Sequence, residues 1–255
     1  MTASPSFTPL ENVEIVWSKY AGKINRIVED QYYIATRRLV DTTEEQKILE
    51  EMLEASKPIA PQANSRGELD FLLFTPFRYP PLREGGRFHR ADERSIFYGS
   101  SHLVTAMAEI AFRKFLFMAH SKAAFQPMDV PHTHFQVEVG TERAVLLTEP
   151  PFDAYRQQIS APYSYAVSQR LGTRMRDAGA ELFTAFSARS AKGYNIGLFS
   201  PEAFKENRPR LPINANWTVF VTQDRVEFSQ RRPSPALHTF HRADFGVDGS
   251  IPILG

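Results

Sequence analysis

Apolar side chains recur at helical spacing near the start of the chain, between Leu10 and Val40. Positions three or four apart lie on one face of a helix, so this spacing predicts a helical segment. The apolar positions are Val13, Val16, Trp17, Tyr20, Ile24 and Ile27. A second helix is predicted over Thr43 to Ala55, because Thr42 and Glu45 can form a capping box at its start.

The stretch from Lys57 to Glu68 has the composition of a loop, with two prolines, a glycine, an asparagine and a serine. Such residues interrupt helices and strands. We therefore predict a domain boundary here, between an N-terminal helical extension (residues 1–66) and the main domain (residues 67–255).

After this loop the pattern changes to short apolar runs alternating irregularly with helical ones. Strands are expected at Leu69 to Phe77, Ser95 to Tyr98, Phe135 to Val139, Ala144 to Leu147, Glu181 to Ala188, Tyr194 to Phe199, Trp217 to Thr222 and Arg225 to Ser229. Helices are expected at Ser101 to Met118 and Tyr163 to Ala178. Because strands and helices do not alternate strictly, the pattern favours an α+β fold over a doubly wound sheet.

Composition narrows the class of protein. The chain has 255 residues, which suits one large domain or a domain with a smaller extension. Its net charge of +1 gives no general attraction to nucleic acid or membranes, so neither is expected as a partner. Cysteine is absent, which excludes disulfides and thiolate catalysis. The apolar stretch from Ala106 to Met118 carries three charges and is too short to span a bilayer. A cytoplasmic location is expected.

Polar residues are concentrated between Phe77 and Phe112. Arg78 closes the first apolar run, Arg87 follows the pair Gly85-Gly86, Tyr98 precedes a predicted helix, and Glu109 lies within that helix. Each also has a structural interpretation: the arginines as surface residues, Tyr98 as a core side chain, and Glu109 as the helical partner of Arg113.

A second polar segment joins two predicted strands and contains Ser190 and Asn195. Taken alone it reads as a polar hairpin connection. Two histidine pairs, His132 with His134 and His238 with His241, lack a convincing third ligand, so no metal is expected.

The order of these features resembles the RES domain: an Arg after an apolar run, Gly-Gly-Arg-aromatic, a Tyr before a helix with an internal Glu, and Arg-Ser with a downstream Asn. The resemblance extends from about Leu69 to Val226. Two features depart from it. Phe88 and His89 stand where Trp and Asn are common, and the long N-terminal extension is absent from compact members.

The resemblance implies a split-sheet fold similar to ADP-ribosyltransferase toxins, and cleavage of the nicotinamide–ribose bond of NAD⁺. It implies that Glu109 stabilises the oxocarbenium-like ribose, that Tyr98 stacks on nicotinamide, and that Arg78 and Arg87 bind the diphosphate. Ser190 and Asn195 complete the NAD⁺ site. Members are commonly toxins that an Xre-like antitoxin neutralises, so such an antitoxin is an expected partner, and homo-oligomer formation is left open.

Three functions stay open at this point. ADP-ribose could pass to water or phosphate, it could pass to a protein as in an ADP-ribosyltransferase, or the chain could be a binding protein without catalytic activity. Release of nicotinamide separates the first two from the third.

Overall fold

The fold was analysed in a computed structural model, which describes residues 9–30, 39–59, 63–79, 81, 85–121, 125–230, 235–246 and 251. Its strands are β1 (Ser18–Glu29), β2 (Ala63–Asn64), β3 (Gly67–Glu68), β4 (Phe97–Ser100), β5 (Met128–Leu146), β6 (Leu182–Phe186), β7 (Tyr194–Leu198), β8 (Asn216–Val221), β9 (Arg225–Gln230) and β10 (Ala236–His241). Its helices are α1 (Thr43–Ser56), α2 (Phe71–Arg78), α3 (Leu103–His120), α4 (Arg156–Ile159) and α5 (Ala166–Asp177).

One eight-stranded sheet dominates the molecule, in the order β1-β4-β7-β6-β5-β8-β9-β10. The long strand β5 also pairs with β1, so that β1, β4, β7, β6 and β5 form a closed circuit. The junction between β1 and β4 consists of one residue pair, Asn25 with Ser100. The α+β prediction is therefore confirmed, with a large mixed sheet flanked by helices.

Each face of the sheet is covered by different helices. On one face, Leu73 and Phe77 of α2 pack on Ile24, Phe97 and their neighbours; we call this the α2 face. On the other, the α3 face, there are two core clusters. The first contains Leu171 and Met175 of α5, and the second contains Phe112 and Phe115 of α3.

The helical prediction for Leu10 to Val40 is wrong over β1. This segment pairs with β5 from Ser18 to Glu29 and lies within the main sheet, so residues 1–66 are not a purely helical extension. Ile24 packs on the α2 face and Ile27 on the α3 face. A strand covered on both sides buries residues of both parities, which produced an apparent helical spacing. Residues 31–38 of the predicted segment lie outside the described residues.

The strand predicted from Leu69 to Phe77 is also wrong, because Phe71–Arg78 form the helix α2. The Asp70 carboxylate accepts a hydrogen bond from the backbone N–H of Leu72 at 2.9 Å, which caps the helix start. Leu73 and Phe77, four positions apart, are its buried residues. Pro76 had argued for a strand end, but it is accommodated within this short helix.

Most remaining elements follow the predictions, with shifted ends. The capping box of Thr42 and Glu45 is present at the start of α1. The two strands predicted on either side of Gly140 are one continuous strand, β5. Among the described residues, no helix combines the length and apolarity needed to cross a membrane.

Candidate active site

Glu109 is a half-buried carboxylate on the apolar helix α3, which directs it onto the α3 face of the sheet. Its Oε1 accepts hydrogen bonds from Ser187 Oγ at 2.8 Å and from Asn195 Nδ2 at 2.6 Å. No ion pair joins Glu109 to Arg113 in the described part of the chain, so the predicted helical pair does not account for this carboxylate. The structure instead fixes it with two neutral donors.

The orientation of Asn195 is set by the sheet. Asn195 of β7 lies opposite Ser100 of β4 in the antiparallel register. The Ser100 hydroxyl donates to Asn195 Oδ1 at 2.7 Å, which leaves the amide nitrogen to donate to Glu109. Asn195 therefore holds the carboxylate directly, and Ser100 holds Asn195.

Ser187 was not among the predicted site residues, although it lies just after β6. Its Oγ accepts from the backbone N–H groups of Arg189 and Ser190, each at 3.0 Å, and donates to Glu109. The predicted Ser190 lies three positions further on, where Thr105 Oγ1 donates to its hydroxyl at 3.3 Å. A hydroxyl immediately after a strand end was the available sequence signal for Ser187.

Tyr98 lies on the same face of the sheet as Asn195. Its ring contacts Phe183 edge-on, with centroids 6.2 Å apart. Its hydroxyl is buried and has no hydrogen-bond partner within the described residues. Burial raises the pKa of Tyr98, and the backbone of Phe88 opposes this shift. The phenol is therefore neutral.

His89 follows the double-glycine turn and packs beside Tyr98, with ring centroids 6.3 Å apart. Burial lowers the pKa of His89 to about 4, with smaller contributions from the positive charges of Arg176 and Arg113. The turn bends at Gly85, which has φ +71°. A Cβ at Gly86 would lie 2.3 Å from His89 Cε1, so this glycine makes room for the imidazole.

Arg87 reaches the loop before α5. Its Nη1 donates to the carbonyl of Ala161 at 2.7 Å, and its guanidinium carbon lies 4.5 Å from the centroid of the Tyr165 ring. Arg189, a second residue absent from the predictions, donates to the next carbonyl, that of Pro162. Both guanidinium groups thus meet at one loop on the α3 face.

Arg78 is placed differently. It is the last residue of α2, where its Nη1 lies 2.8 Å from Glu54 Oε1 and its Nε donates to the Pro58 carbonyl at 2.7 Å. The described contacts bring Glu109, Asn195 and Ser187 together, with Ser190 on the same turn. They do not join Arg78 to this group.

The histidines considered for metal binding have other partners. His132 Nδ1 lies 3.0 Å from the Val130 carbonyl, and His134 Nε2 lies 3.1 Å from Asn25 Oδ1. No group of three or more potential ligands occurs among the described residues.

Comparison with known proteins gives the family. No curated protein matches the chain. One similar solved structure is the toxin–antitoxin complex MbcT–MbcA of M. tuberculosis, with 10% identity, a TM-score of 0.45, and coverage of 81% of this chain and 87% of that one. The family model of the RES domain matches residues 62–221, well over half of the chain. The chain therefore belongs to the RES domain family.

Proposed function

We propose that this protein is an NAD⁺-cleaving toxin that breaks the bond between nicotinamide and ribose. The observation that carries the proposal is the Glu109 carboxylate, held through Oε1 by Ser187 and Asn195 on the α3 face. Its other oxygen, Oε2, makes no hydrogen bond within the described residues and is available to a ligand.

The chemistry of this bond calls for such a group. Departure of nicotinamide leaves positive charge on the ribose, and a fixed carboxylate lowers the energy of that state, as in glycoside hydrolysis. Ser187 and Asn195 are uncharged, so they orient Glu109 without neutralising it. The water or phosphate that takes the ADP-ribose then completes the reaction.

The other predicted residues fit supporting roles. The ring of Tyr98 offers a π face to the cationic nicotinamide, an interaction worth about 0.5–2 kcal/mol. Arg87 supplies donors for phosphate oxygens. Ser190 is bonded to Thr105 and lies on the Ser187 turn, which supports a role in bonding a ribose hydroxyl.

Replacement of Glu109 tests the proposal. In Glu109→Gln the negative charge is lost while shape and hydrogen bonding are largely kept, so we expect nicotinamide release to fall by roughly 10²–10³-fold. Release is followed by chromatography with purified protein. Glu181→Gln is the matched control, because Glu181 is another half-buried carboxylate that accepts from a hydroxyl, that of Thr141 at 2.6 Å.

Near-normal turnover by a folded Glu109→Gln protein would remove Glu109 from the mechanism. The acceptor is identified in the same assay with labelled NAD⁺. Free ADP-ribose indicates hydrolysis, phosphate-dependent product indicates phosphorolysis, and labelled protein indicates an ADP-ribosyltransferase. A wild-type protein that releases no nicotinamide under any of these conditions is a binding protein instead.

The toxin role makes a cellular prediction. Expression of the wild-type chain should deplete cellular NAD⁺ and arrest growth, whereas Glu109→Gln should do neither. An Xre-like antitoxin is the partner expected to relieve the arrest. Growth arrest by both forms alike would indicate harm unrelated to NAD⁺ cleavage.

A further inference from the structure

Two arginines far apart in the sequence donate to consecutive carbonyls of one loop. Arg87 Nη1 donates to Ala161 and Arg189 Nη2 to Pro162. The loop itself is fastened to the end of β6, since the hydroxyl of Ser160 donates to the carbonyl of Phe186 at 2.7 Å. We call Arg87 and Arg189 the arginine pair.

Aromatic rings hold both guanidinium planes. The guanidinium carbon of Arg87 lies 4.5 Å from the centroid of the Tyr165 ring. The guanidinium carbon of Arg189 lies 3.3 Å from the centroid of the Phe112 ring and 5.6 Å from the centroid of the Tyr163 ring. Stacking fixes the plane of a guanidinium and leaves its N–H edges free for an anion, which lowers the entropy lost on binding.

Neither Arg87 nor Arg189 forms an ion pair with an acidic side chain among the described residues. The Arg189 Nε is buried and has no acceptor there. Burial lowers the pKa of Arg189 and the charge of Arg87 lowers it further, while Glu109 opposes the shift. Two neighbouring cations therefore lie close to the carboxylate assigned to the ribose.

We infer that Arg189 joins Arg87 in binding the diphosphate of the dinucleotide. The inference rests on the proposed function. In NAD⁺ the same ribose carries nicotinamide on one carbon and the diphosphate on another, so a diphosphate site must lie one sugar away from Glu109. Two linked phosphates also match two adjacent guanidinium groups, each of which can bond an anion through two N–H groups.

Arg78 does not satisfy these requirements. Its guanidinium donates to Glu54 and Pro58, and the charge of Glu54 already neutralises it. It also ends α2, the helix that packs on the opposite face of the sheet from Glu109. In this chain the diphosphate role expected of Arg78 passes to Arg189.

Calorimetric titration of the full chain tests the assignment. All proteins carry Glu109→Gln so that nothing is cleaved, and the ligands are NAD⁺, ADP-ribose and nicotinamide riboside, which lacks the diphosphate. Arg189→Gln and Arg87→Gln should each weaken NAD⁺ and ADP-ribose binding by roughly 10- to 100-fold, the loss typical of a charged hydrogen bond. Nicotinamide riboside should bind with unchanged affinity.

Two controls define the effect. Arg143→Gln removes another arginine that donates to a carbonyl, Ala178 at 2.9 Å, and lies over a ring, Trp17 at 5.2 Å. Arg78→Gln tests the residue that the family resemblance favours. Both should bind ADP-ribose like the parent protein. Arg189→Lys keeps the charge and serves if Arg189→Gln does not fold; it should weaken ADP-ribose binding because the paired donors are lost.

The outcomes distinguish failure of the Arg189 assignment from failure of the proposed NAD⁺ cleavage. If the parent protein binds ADP-ribose and the Arg189 variants bind it equally well, the assignment is overturned and NAD⁺ cleavage is untouched. An equal loss of affinity for nicotinamide riboside in the Arg189 variants also overturns the assignment, because Arg189 would then act on the shape of the whole site. A folded parent that binds neither NAD⁺ nor ADP-ribose overturns the proposed function itself.

Discussion

Glu109 is held by two neutral hydrogen-bond donors, Ser187 and Asn195, and forms no ion pair within the part of the chain that the structure describes. A cationic partner would compete with the positive charge that develops on a substrate ribose. Ser187 and Asn195 fix the carboxylate without forming an ion pair with it, so its negative charge remains able to stabilise the ribose.

The two serines of the β6–β7 turn should have separable effects. Ser187→Ala removes a hydrogen bond to a charged group and two bonds within the turn, so we expect nicotinamide release to fall by roughly 10- to 100-fold. Ser190→Ala removes one bond, to Thr105, and should act mainly on the KM for NAD⁺. Initial rates across NAD⁺ concentrations distinguish the two. A greater loss of kcat in Ser190→Ala would assign the Glu109-holding role to Ser190.

The resemblance to the RES domain singled out Glu109, Asn195 and Arg87, which lie on one face of the structure. Ser187 and Arg189 were not singled out, because the contacts of Ser187 with Glu109 and of Arg189 with Pro162 depend on how the turn after β6 folds against distant parts of the chain. Arg78 was singled out by its position in the motif, and its contacts with α1 depend on a tertiary arrangement that spacing does not encode.

Among the secondary-structure elements, the edge of β4 next to β1 is held by a side chain. Arg26 of β1 donates to the Tyr98 carbonyl, and its guanidinium lies 4.6 Å from the centroid of Phe97. Since Asn25 and Ser100 form the single residue pair between these strands, Arg26 supplies a second connection at the point where they diverge.

Arg26→Met should therefore destabilise the protein, because the Tyr98 carbonyl loses its donor in a mostly buried place. We expect a loss of about 1–3 kcal/mol in the free energy of unfolding, measured with urea. Arg143→Met is the comparison, since its carbonyl partners are exposed and water can replace the lost donors. Equal losses in both variants would show that Arg26 does not hold the edge of β4.

The errors in β1 and α2 share a cause. In both segments the spacing of apolar residues was the main signal, and periodicity alone does not distinguish a strand covered on two faces from a helix. Pairing with β5 makes the first segment the strand β1. The Asp70 cap, together with burial of Leu73 and Phe77 on one side, makes the second segment the helix α2. Elements with a clear local signal, such as α1 with its capping box, were predicted correctly.

In the molecule as a whole, three buried histidines, His89, His132 and His134, couple stability to pH, because burial lowers the pKa of each. Burial lowers the pKa of His89 and of His134 to about 4, below the ordinary value of 6.5. Between these values the unfolded chain binds protons that the folded protein does not. The histidines therefore leave the free energy of unfolding unchanged above pH 6.5. As the pH falls from 6.5 toward 4, they make the protein progressively less stable.

This predicts a loss of up to about 1.4 kcal/mol per pH unit for each histidine in that window. Urea unfolding of wild type and His89→Gln at several pH values isolates one of them, since the variant should lose less stability on acidification. The exposed His120→Gln should behave like wild type. Parallel pH profiles for all three proteins would argue that His89 is protonated in the folded state.

The closed circuit of strands has a consequence for the order in which the protein can form during synthesis. Lys23 of β1 pairs with Glu138 of β5, and β5 in turn pairs with β6. A nascent chain that has emerged only as far as α3 has no partner for most of β1, because non-local pairs must wait for both strands. We therefore expect the N-terminal strand to stay unpaired until β5 leaves the ribosome, so that Asn25, Ser100 and the face carrying Glu109 assemble late.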